Sequence, residues 1–243
     1  MLFYYYLCKV TENLTPLLHY SHYPLYSIYS FYSLYSITPF TPLTPYSLYS
    51  FIPMKHFPGD DDHKWQVLKS EYLFRRPWLT VRCEHTRLPN GNECPEYYVL
   101  EYPTWINIIA LDKEGRMVMV RQYRHALGVT RNELCAGVVD PTDKSPMEAA
   151  QRELMEETGY GGGHWEEFNV LAQNPGSANN LTYTFLATGV EQLSTQHLES
   201  TEDISVHLFT PAEVMQMLSE GHIVQAMHAA SLWKYFYLHR PAD

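Results

Sequence analysis

Three glutamates lie close together in the stretch QRELMEETGY, which runs from Gln151 to Tyr160. On a helix, Glu153, Glu156 and Glu157 would fall within little more than one turn. Like charges three or four residues apart on a helix face repel each other, and the repulsion grows where water is scarce. A positive charge beside them, such as a metal ion, would offset that repulsion. The alternative interpretation is a solvated acidic helix face, the usual role of such clusters.

The residues around the cluster predict a helix with well-marked ends. Ser145 and Glu148 form the S-x-x-E pattern of a capping box, and Pro146 occupies the first helical position. Gly159 follows where a left-handed C-cap residue belongs. At 100° per residue one side of this helix is apolar, and the glutamates fall beside it. The apolar set is Met147, Ala150, Leu154 and Thr158. We therefore expect the acids at the edge of the packed face.

Strands are predicted on both sides of this helix. Before it, residues 79–88 and 97–102 alternate around a Pro-Asn-Gly turn, and three apolar runs are typical of buried strands. Those runs are TWINIIALD, RMVMVRQY and NELCAGVVDP. After it, strands are predicted in NVLAQNPG, LTYTFLATGV and SVHLFT. Capping signals in TPAEVMQMLSEG predict a second helix, and a third is expected over residues 224–238.

Composition excludes several functional classes. The formal net charge is −10, and an acidic surface disfavours nonspecific binding of nucleic acid. The four cysteines contain no C-x-x-C pair, which is typical of a reduced, cytosolic setting. The apolar run MLFYYYL is too short to span a bilayer. We expect a cytoplasmic protein that acts on a small molecule, without a nucleic acid or membrane partner.

Residues 1–53 differ from the rest of the chain. They contain no glycine and only Lys9 and Glu12 as charged residues, and tyrosine recurs every third residue from Tyr20 to Tyr35. Neither a helix nor a strand has a period of three, so the pattern cannot keep one face in a core. We interpret the segment as a translated DNA repeat upstream of a native start at Met54. A disordered extension or an adhesive tail is the alternative.

The stretch GVVDPTDKSPMEAAQRELMEETGY resembles the Nudix box, G-x5-E-x7-R-E-U-x-E-E-x-G-U, where U is apolar. Its second half matches at every fixed position, from Arg152 to Tyr160. The first half departs from the pattern. Five residues separate Gly137 from Asp143, which stands where the pattern has glutamate, and eight residues rather than seven separate Asp143 from Arg152. We interpret this difference as a one-residue loop insertion with a conservative change of acid.

The resemblance implies a metal-dependent pyrophosphohydrolase. In Nudix enzymes the glutamates equivalent to Glu153 and Glu157 bind Mg²⁺, or Mn²⁺ as a substitute, with Glu156 as an additional ligand. The backbone carbonyl equivalent to that of Ala136 is a further ligand, and Arg152 can hold the acids in place. The implied fold is α+β, an α/β/α sandwich with a mixed central sheet, preceded by a small antiparallel β domain.

Features outside the box resemble the ADP-ribose pyrophosphatase branch. Arg124 matches an arginine that contacts the diphosphate, with Arg121 beside it, and surface charge is the alternative for both. Glu133 in ELCAG is a candidate metal or substrate ligand. Glu202 matches a late-loop glutamate that activates water, against an ordinary acidic loop. Trp78 is a candidate for stacking on adenine, against a core or dimer-interface role.

Composition and the resemblance together imply three segments, and the resemblance implies one reaction. The segments are residues 1–53, a dimerisation and substrate domain at 65–103, and the Nudix domain at 104–243, assembled as a homodimer. The expected reaction is hydrolysis of ADP-ribose to AMP and ribose 5-phosphate. GDP-mannose or another nucleoside diphosphate sugar is the rival substrate, and a noncatalytic ligand sensor is the rival class.

Overall fold

The computed structural model describes residues 57–76 and 78–240. The interpretation of residues 1–53 therefore lies outside the described residues, as does the start of the chain at Met54. Within the described part, two sheets and three helices follow one another along the chain.

The first sheet is three-stranded and antiparallel. It consists of β1 (Gln66–Arg76), β2 (Leu79–Arg87) and β3 (Glu93–Glu101), in that order. The strands predicted at 79–88 and 97–102 correspond to β2 and β3. Strand β1 was not predicted, because its register shifts between Val67 and Lys69 and again between Tyr72 and Phe74. Each irregularity interrupts the period of two that marks a strand in sequence.

The second sheet has seven strands in mixed orientation. Its order is β10-β5-β6-β4-β9-β7, with β8 paired to β9, and only β4 and β9 pair in parallel. The strands are β4 (Trp105–Asp112), β5 (Met117–Arg124), β6 (Val129–Val138), β7 (Tyr160–Gly161), β8 (His164–Leu171), β9 (Thr182–Gln192) and β10 (Ile204–Phe209).

Helices cover both faces of this second sheet. Helix α1 (Pro146–Thr158) packs on one face, where Leu154 and Ala150 join Ile108 and Phe185 in one buried cluster. Helices α2 (Pro211–Ser219) and α3 (Ala226–Leu238) close the other face, where Leu232 belongs to a second cluster. The predicted α/β/α sandwich, with a mixed sheet preceded by a small antiparallel sheet, is confirmed.

Helix α1 has the predicted ends. Ser145 Oγ accepts from the backbone N–H of Glu148 at 3.1 Å, and Gly159 has the left-handed φ of 74°. The Glu148 carboxylate accepts from the N–H of Lys144 at 2.6 Å, not from that of Ser145. At Gly159 a Cβ would lie 2.2 Å from the carbonyl oxygen of Ser194, so this end of the helix meets another loop closely. The backbone at this cap requires glycine on both counts.

Two of the compositional expectations concern the described residues directly. Cys83, Cys94 and Cys135 are free thiols. Among residues 57–76 and 78–240, no helix is long and apolar enough to cross a membrane.

Candidate metal and active site

Two of the three glutamates of α1 are buried against strand β6. Glu153 is 9% exposed and Glu157 is 4% exposed. The absence of a side chain at Gly137 makes room for Glu153, since a Cβ there would lie 2.2 Å from Cδ of that carboxyl group. The N–H of Ala136 donates to Glu157 Oε2 at 3.2 Å. The acids thus lie deeper than the edge position that the sequence predicts, on the face between α1 and the sheet.

Burial makes these carboxylates unusually basic. Loss of hydration raises the pKa of Glu153 to about 7, even though Arg152 favours its ionised form. Loss of hydration also raises the pKa of Glu157 to about 7, and the negative charges of Glu153 and Glu202 add to the effect. A divalent cation would relieve both costs at once, because it replaces lost hydration and offsets the mutual repulsion.

Arg152 is the centre of a hydrogen-bond network at the exposed side of these acids. Its guanidinium donates to both carboxylate oxygens of Asp143 at 3.2 and 3.0 Å and to the carbonyl of Val138 at 3.1 Å. It also donates to Glu153 at 3.0 Å and to Glu156 at 2.9 Å. Arg152 therefore binds two of the glutamates and links them to the loop before α1.

Asp143 retains a defined structural role despite the departure from the motif. Its side chain is only 5% exposed. Burial alone would raise the pKa of Asp143, but hydrogen bonds from Arg152 and from the N–H of Asp140 outweigh burial and lower it. The aspartate, although shorter than the glutamate of the motif, reaches the guanidinium of Arg152.

The donor set fits a hard divalent cation. Glu153 and Glu157 present buried carboxylate oxygens, and Mg²⁺ and Mn²⁺ prefer oxygen ligands. Within the described ranges no three His, Cys, Asp or Glu side chains are already gathered around one point. Glu156 is 45% exposed at its side chain and is held by Arg152. Its recruitment as a third ligand would require a change of rotamer.

Arg124 and Glu133 form a pair on the face that carries α1. Val118 and Val120 of β5 belong to the α1 cluster, and alternation places Arg124 on the same side. Arg124 donates to both oxygens of Glu133 at distances from 2.5 to 3.1 Å, and Glu133 is 1% exposed. Glu133 thus fixes the direction of the guanidinium.

Arg121 lies on the opposite face of the sheet, three residues earlier on the same strand. It lines a cavity of about 500 Å³ beside α2, together with Arg131, Glu213, Glu220, Phe209 and Met217. The two arginines and two glutamates balance in charge, so the cavity does not favour an anion. The structure does not bring Arg121 together with the glutamates of α1.

Glu202 lies near the α1 glutamates in the loop between β9 and β10. Its negative charge contributes to the raised pKa of Glu157 and of the buried Cys135 thiol, although burial is the larger cause for both. Its carboxylate accepts from the N–H of Glu199 at 2.9 Å. The structure therefore places the late-loop Glu202 near Glu157 of α1.

Trp78 lies at the turn between β1 and β2 and is 78% exposed. It therefore belongs to no core among the described residues, which leaves ligand stacking or an interface as its role. The first sheet also contacts the loop before β9, since Tyr97 Oη donates to the carbonyl of Gly176 at 2.7 Å. A second bond joins the N–H of Leu100 to the carbonyl of Ser177 at 2.7 Å.

Two contacts of the site were not predicted from the sequence. Cys135 lies on β6 with its thiol against the Glu157 carboxylate. Gln196 donates from its side chain to the Glu157 backbone carbonyl at 2.7 Å. Neither residue has a periodic or motif signal, because each acts through a neighbour that is distant in sequence.

Two family models match the chain. Residues 102–227 match the NUDIX domain, and residues 65–100 match the nucleoside diphosphate sugar hydrolase N-terminal domain. These ranges contain the seven-stranded sheet with α1 and α2, and most of the three-stranded sheet, respectively.

Characterised relatives are similar over much of this length. The chain is 29% identical over 172 residues to an ADP-ribose pyrophosphatase of Mycobacterium tuberculosis (strain ATCC 25618 / H37Rv), covering 70% of this chain and 83% of that protein. It is 30% identical over 115 residues to a GDP-mannose pyrophosphatase of Enterobacter sp. (strain 638), covering 44% and 59%. A solved structure described as an ADP compounds hydrolase shares the fold, with a TM-score of 0.64 at 21% identity over 72% of this chain and 94% of that one.

Proposed function

The chain belongs to the NUDIX domain family, and from this membership we propose that it hydrolyses the diphosphate bond of ADP-ribose to give AMP and ribose 5-phosphate. The observation that carries the proposal is the pair of buried glutamates on α1, Glu153 and Glu157, whose pKa of about 7 indicates a site built for a cation. The similarity to an ADP-ribose pyrophosphatase over 83% of that protein supports the choice of substrate.

Mg²⁺ is the cation we propose, with Mn²⁺ as a substitute. Glu153, Glu157 and the carbonyl of Ala136 would hold it, and Glu156 would join after release from Arg152. When bound, the ion neutralises diphosphate charge and lowers the pKa of a coordinated water. Arg152 and Asp143 keep the carboxylates in place by the hydrogen bonds described above.

Residues of the loops and of β5 would bind the diphosphate, accept the proton of the attacking water and contact the base. Arg124, oriented by Glu133, would bind a nonbridging phosphate oxygen and hold the diphosphate for attack. Glu202 would accept a proton from the attacking water as the new P–O bond forms. The bridging P–O bond breaks, and the leaving phosphate departs with its negative charge. Trp78, which is exposed, would stack on the base.

A GDP-sugar is the second candidate substrate. The similarity to a GDP-mannose pyrophosphatase favours it, and the sequence NPGSANN in the loop before β9 offers amide and hydroxyl groups rather than charges. The metal chemistry would be the same for both substrates. A noncatalytic sensor would not require the buried glutamates.

We further propose a cytoplasmic homodimer built through residues 65–103, with residues 104–243 as the catalytic domain. Large apolar side chains are exposed on the first sheet and its hairpin, which supports an interface there. They include Phe74 at 57%, Trp78 at 78% and Leu73 at 45% exposed.

The test is a comparison of substrates with matched variants. The purified full chain with Mg²⁺ is given ADP-ribose, GDP-mannose, other ADP-sugars and dinucleotides, and the products are separated by chromatography. We expect AMP and ribose 5-phosphate from ADP-ribose, and Glu157→Gln should lose at least about 100-fold in kcat. Glu191→Gln is the control, since Glu191 is exposed and its carboxylate pairs, among residues 57–76 and 78–240, with Lys113 alone. Binding without turnover, unaltered in Glu157→Gln, would favour the sensor.

A further inference from the structure

One glutamine side chain joins the loop between β9 and β10 to the helix that carries the glutamates. Gln196 Nε2 donates to the backbone carbonyl of Glu157 at 2.7 Å and to that of Ile204 at 3.1 Å. Glu157 lies in the last turn of α1, and Ile204 is the first residue of β10. A single amide group therefore links the helix, the start of the loop and the start of the next strand.

Backbone hydrogen bonds fix the same junction. The N–H of His197 donates to the carbonyl of Glu156 at 2.9 Å. The N–H groups of Leu193 and Ser194 donate to the carbonyl of Gly159 at 2.9 and 3.1 Å. These bonds satisfy carbonyls at the end of α1 that have no partner within the helix. The start of the loop is thus held to the C-terminal end of α1 by backbone hydrogen bonds.

Residues 197–203 form the span between Gln196 itself and Ile204, whose carbonyl accepts from the Gln196 amide. Glu202 lies in this span, and its negative charge is near enough to Glu157 to raise the pKa of that carboxyl group. Its carboxylate accepts from the N–H of Glu199, a bond made within the span itself. Because the ends are fixed and the internal bond is local, the position of Glu202 depends on where the ends are held.

We propose that Gln196 is a positioning residue that fixes the loop 197–203 on α1 and so sets the place of Glu202 relative to Glu153 and Glu157. The proposal rests on the proposed function, in which Glu202 receives a proton from the attacking water. The carboxylate of Glu157 belongs to the proposed metal site, and its backbone carbonyl accepts from Gln196. The metal site and the loop 197–203 are therefore both attached to the same residue. A base must stand within hydrogen-bond reach of its water, so a small displacement of the loop is costly to turnover.

The first test is a double-mutant cycle. Gln196→Met keeps an unbranched side chain of similar size but removes both donated hydrogen bonds. We expect kcat for ADP-ribose to fall about 30-fold while KM stays within about twofold, since a displaced base affects the chemical step. In a Glu202→Gln background the same change should lower kcat by less than about threefold, because the residue it positions is already inactive. Equal losses in both backgrounds would overturn the proposal.

The second test measures how firmly the loop 197–203 is held, and it does not depend on catalytic activity. Hydrogen exchange of backbone amides in peptides covering residues 197–203 is measured without metal or substrate. Faster exchange is expected in Gln196→Met but not in the control Gln216→Leu. The control loses an exposed hydrogen bond from the side-chain amide of Gln216, on α2, to the carboxylate of Glu220. Unchanged exchange would overturn the anchoring.

The two tests separate the ways of failing. If the wild-type chain hydrolyses no substrate, the proposed function fails and the positioning role with it, while exchange still shows whether Gln196 anchors the loop. If the wild-type chain is active and the cycle is additive, the proposed function stands and only the role of Gln196 is wrong. Thermal unfolding of each variant checks that the fold is retained.

Discussion

Replacing Gly137 by alanine should displace the Glu153 carboxylate while leaving the fold intact. The new Cβ would lie 2.2 Å from Cδ, 2.3 Å from Oε1 and 2.7 Å from Oε2 of Glu153. Ordinary contacts begin at 3.4 Å, so the carboxyl group must recede by about 1.2 Å, the difference between 3.4 and 2.2 Å. The colliding atoms are the end of a side chain, so the main chain of β6 can remain in place. The displaced group, however, is a proposed metal ligand.

The expected loss follows from this displacement. A shift of about 1 Å in a catalytic group costs on the order of 100-fold in rate, which corresponds to about 2.7 kcal/mol of transition-state stabilisation. The added methyl group should also destabilise the fold by about 1–3 kcal/mol, the usual cost of overpacking. Initial rates of ADP-ribose hydrolysis at several Mg²⁺ concentrations measure the first effect, and urea unfolding measures the second.

Gly161→Ala is the matched control. Its Cβ would lie 2.5 Å from Met155 Cε and 3.3 Å from Leu193 Cδ1, so it collides with another side chain of α1 without touching a carboxylate. We expect a similar loss of stability, with kcat/KM within about threefold of the wild-type value. If Gly137→Ala keeps full activity, or if Gly161→Ala loses as much, the position of Glu153 does not control turnover and the reasoning is refuted.

Three further outcomes are expected. Asp143→Asn removes the most buried of the ionic partners of Arg152 and should lower the free energy of unfolding by about 2 kcal/mol, measured in urea, and kcat by about tenfold; no change would mean that the pair is dispensable. His228 is fully buried, and burial, aided by the charge of Arg124, lowers its pKa to about 3 from 6.5. Since the unfolded chain takes up the proton first, the free energy of unfolding should fall by up to about 1.4 kcal/mol per pH unit below 6.5. In His228→Leu, urea titrations should show a smaller fall over the same pH range. Glu153 and Glu157 have raised pKa values, so the metal-free protein should lose stability as pH rises from 4.5 through 7. Mg²⁺ should restore it, with a larger increase in Tm at pH 8 than at pH 6, and equal increases would contradict this assignment.

Local signals in the sequence predicted most of the fold. The bounds of α1 follow from Ser145, Pro146 and Gly159, because caps act on the turns next to them and need no distant partner. Strands such as β4 were predicted from long apolar runs that are buried on both faces. Strand β1 was not, because its two register irregularities interrupt the alternation that a sequence pattern relies on.

Some features of the candidate site were likewise predicted from the sequence, and others depend on tertiary packing. The sequence placed Glu153, Glu156 and Glu157 on one helix, but only the packing against β6 shows that two are buried and one is held by Arg152. Arg121 and Arg124 are three residues apart on a strand, and an odd spacing separates their faces. Which face meets α1 depends on the order of the strands and on the side from which the helix packs.

The sequence by itself determined the types of group proposed for the chemistry and the helix that spaces them, since both are fixed by residues within one or two turns. Tertiary structure decided the basicity of the carboxylates, the orientation of Arg124 by Glu133 and the attachment of the Glu202 loop through Gln196. These depend on loss of water and on contacts between residues far apart in the chain, and no short-range pattern encodes them.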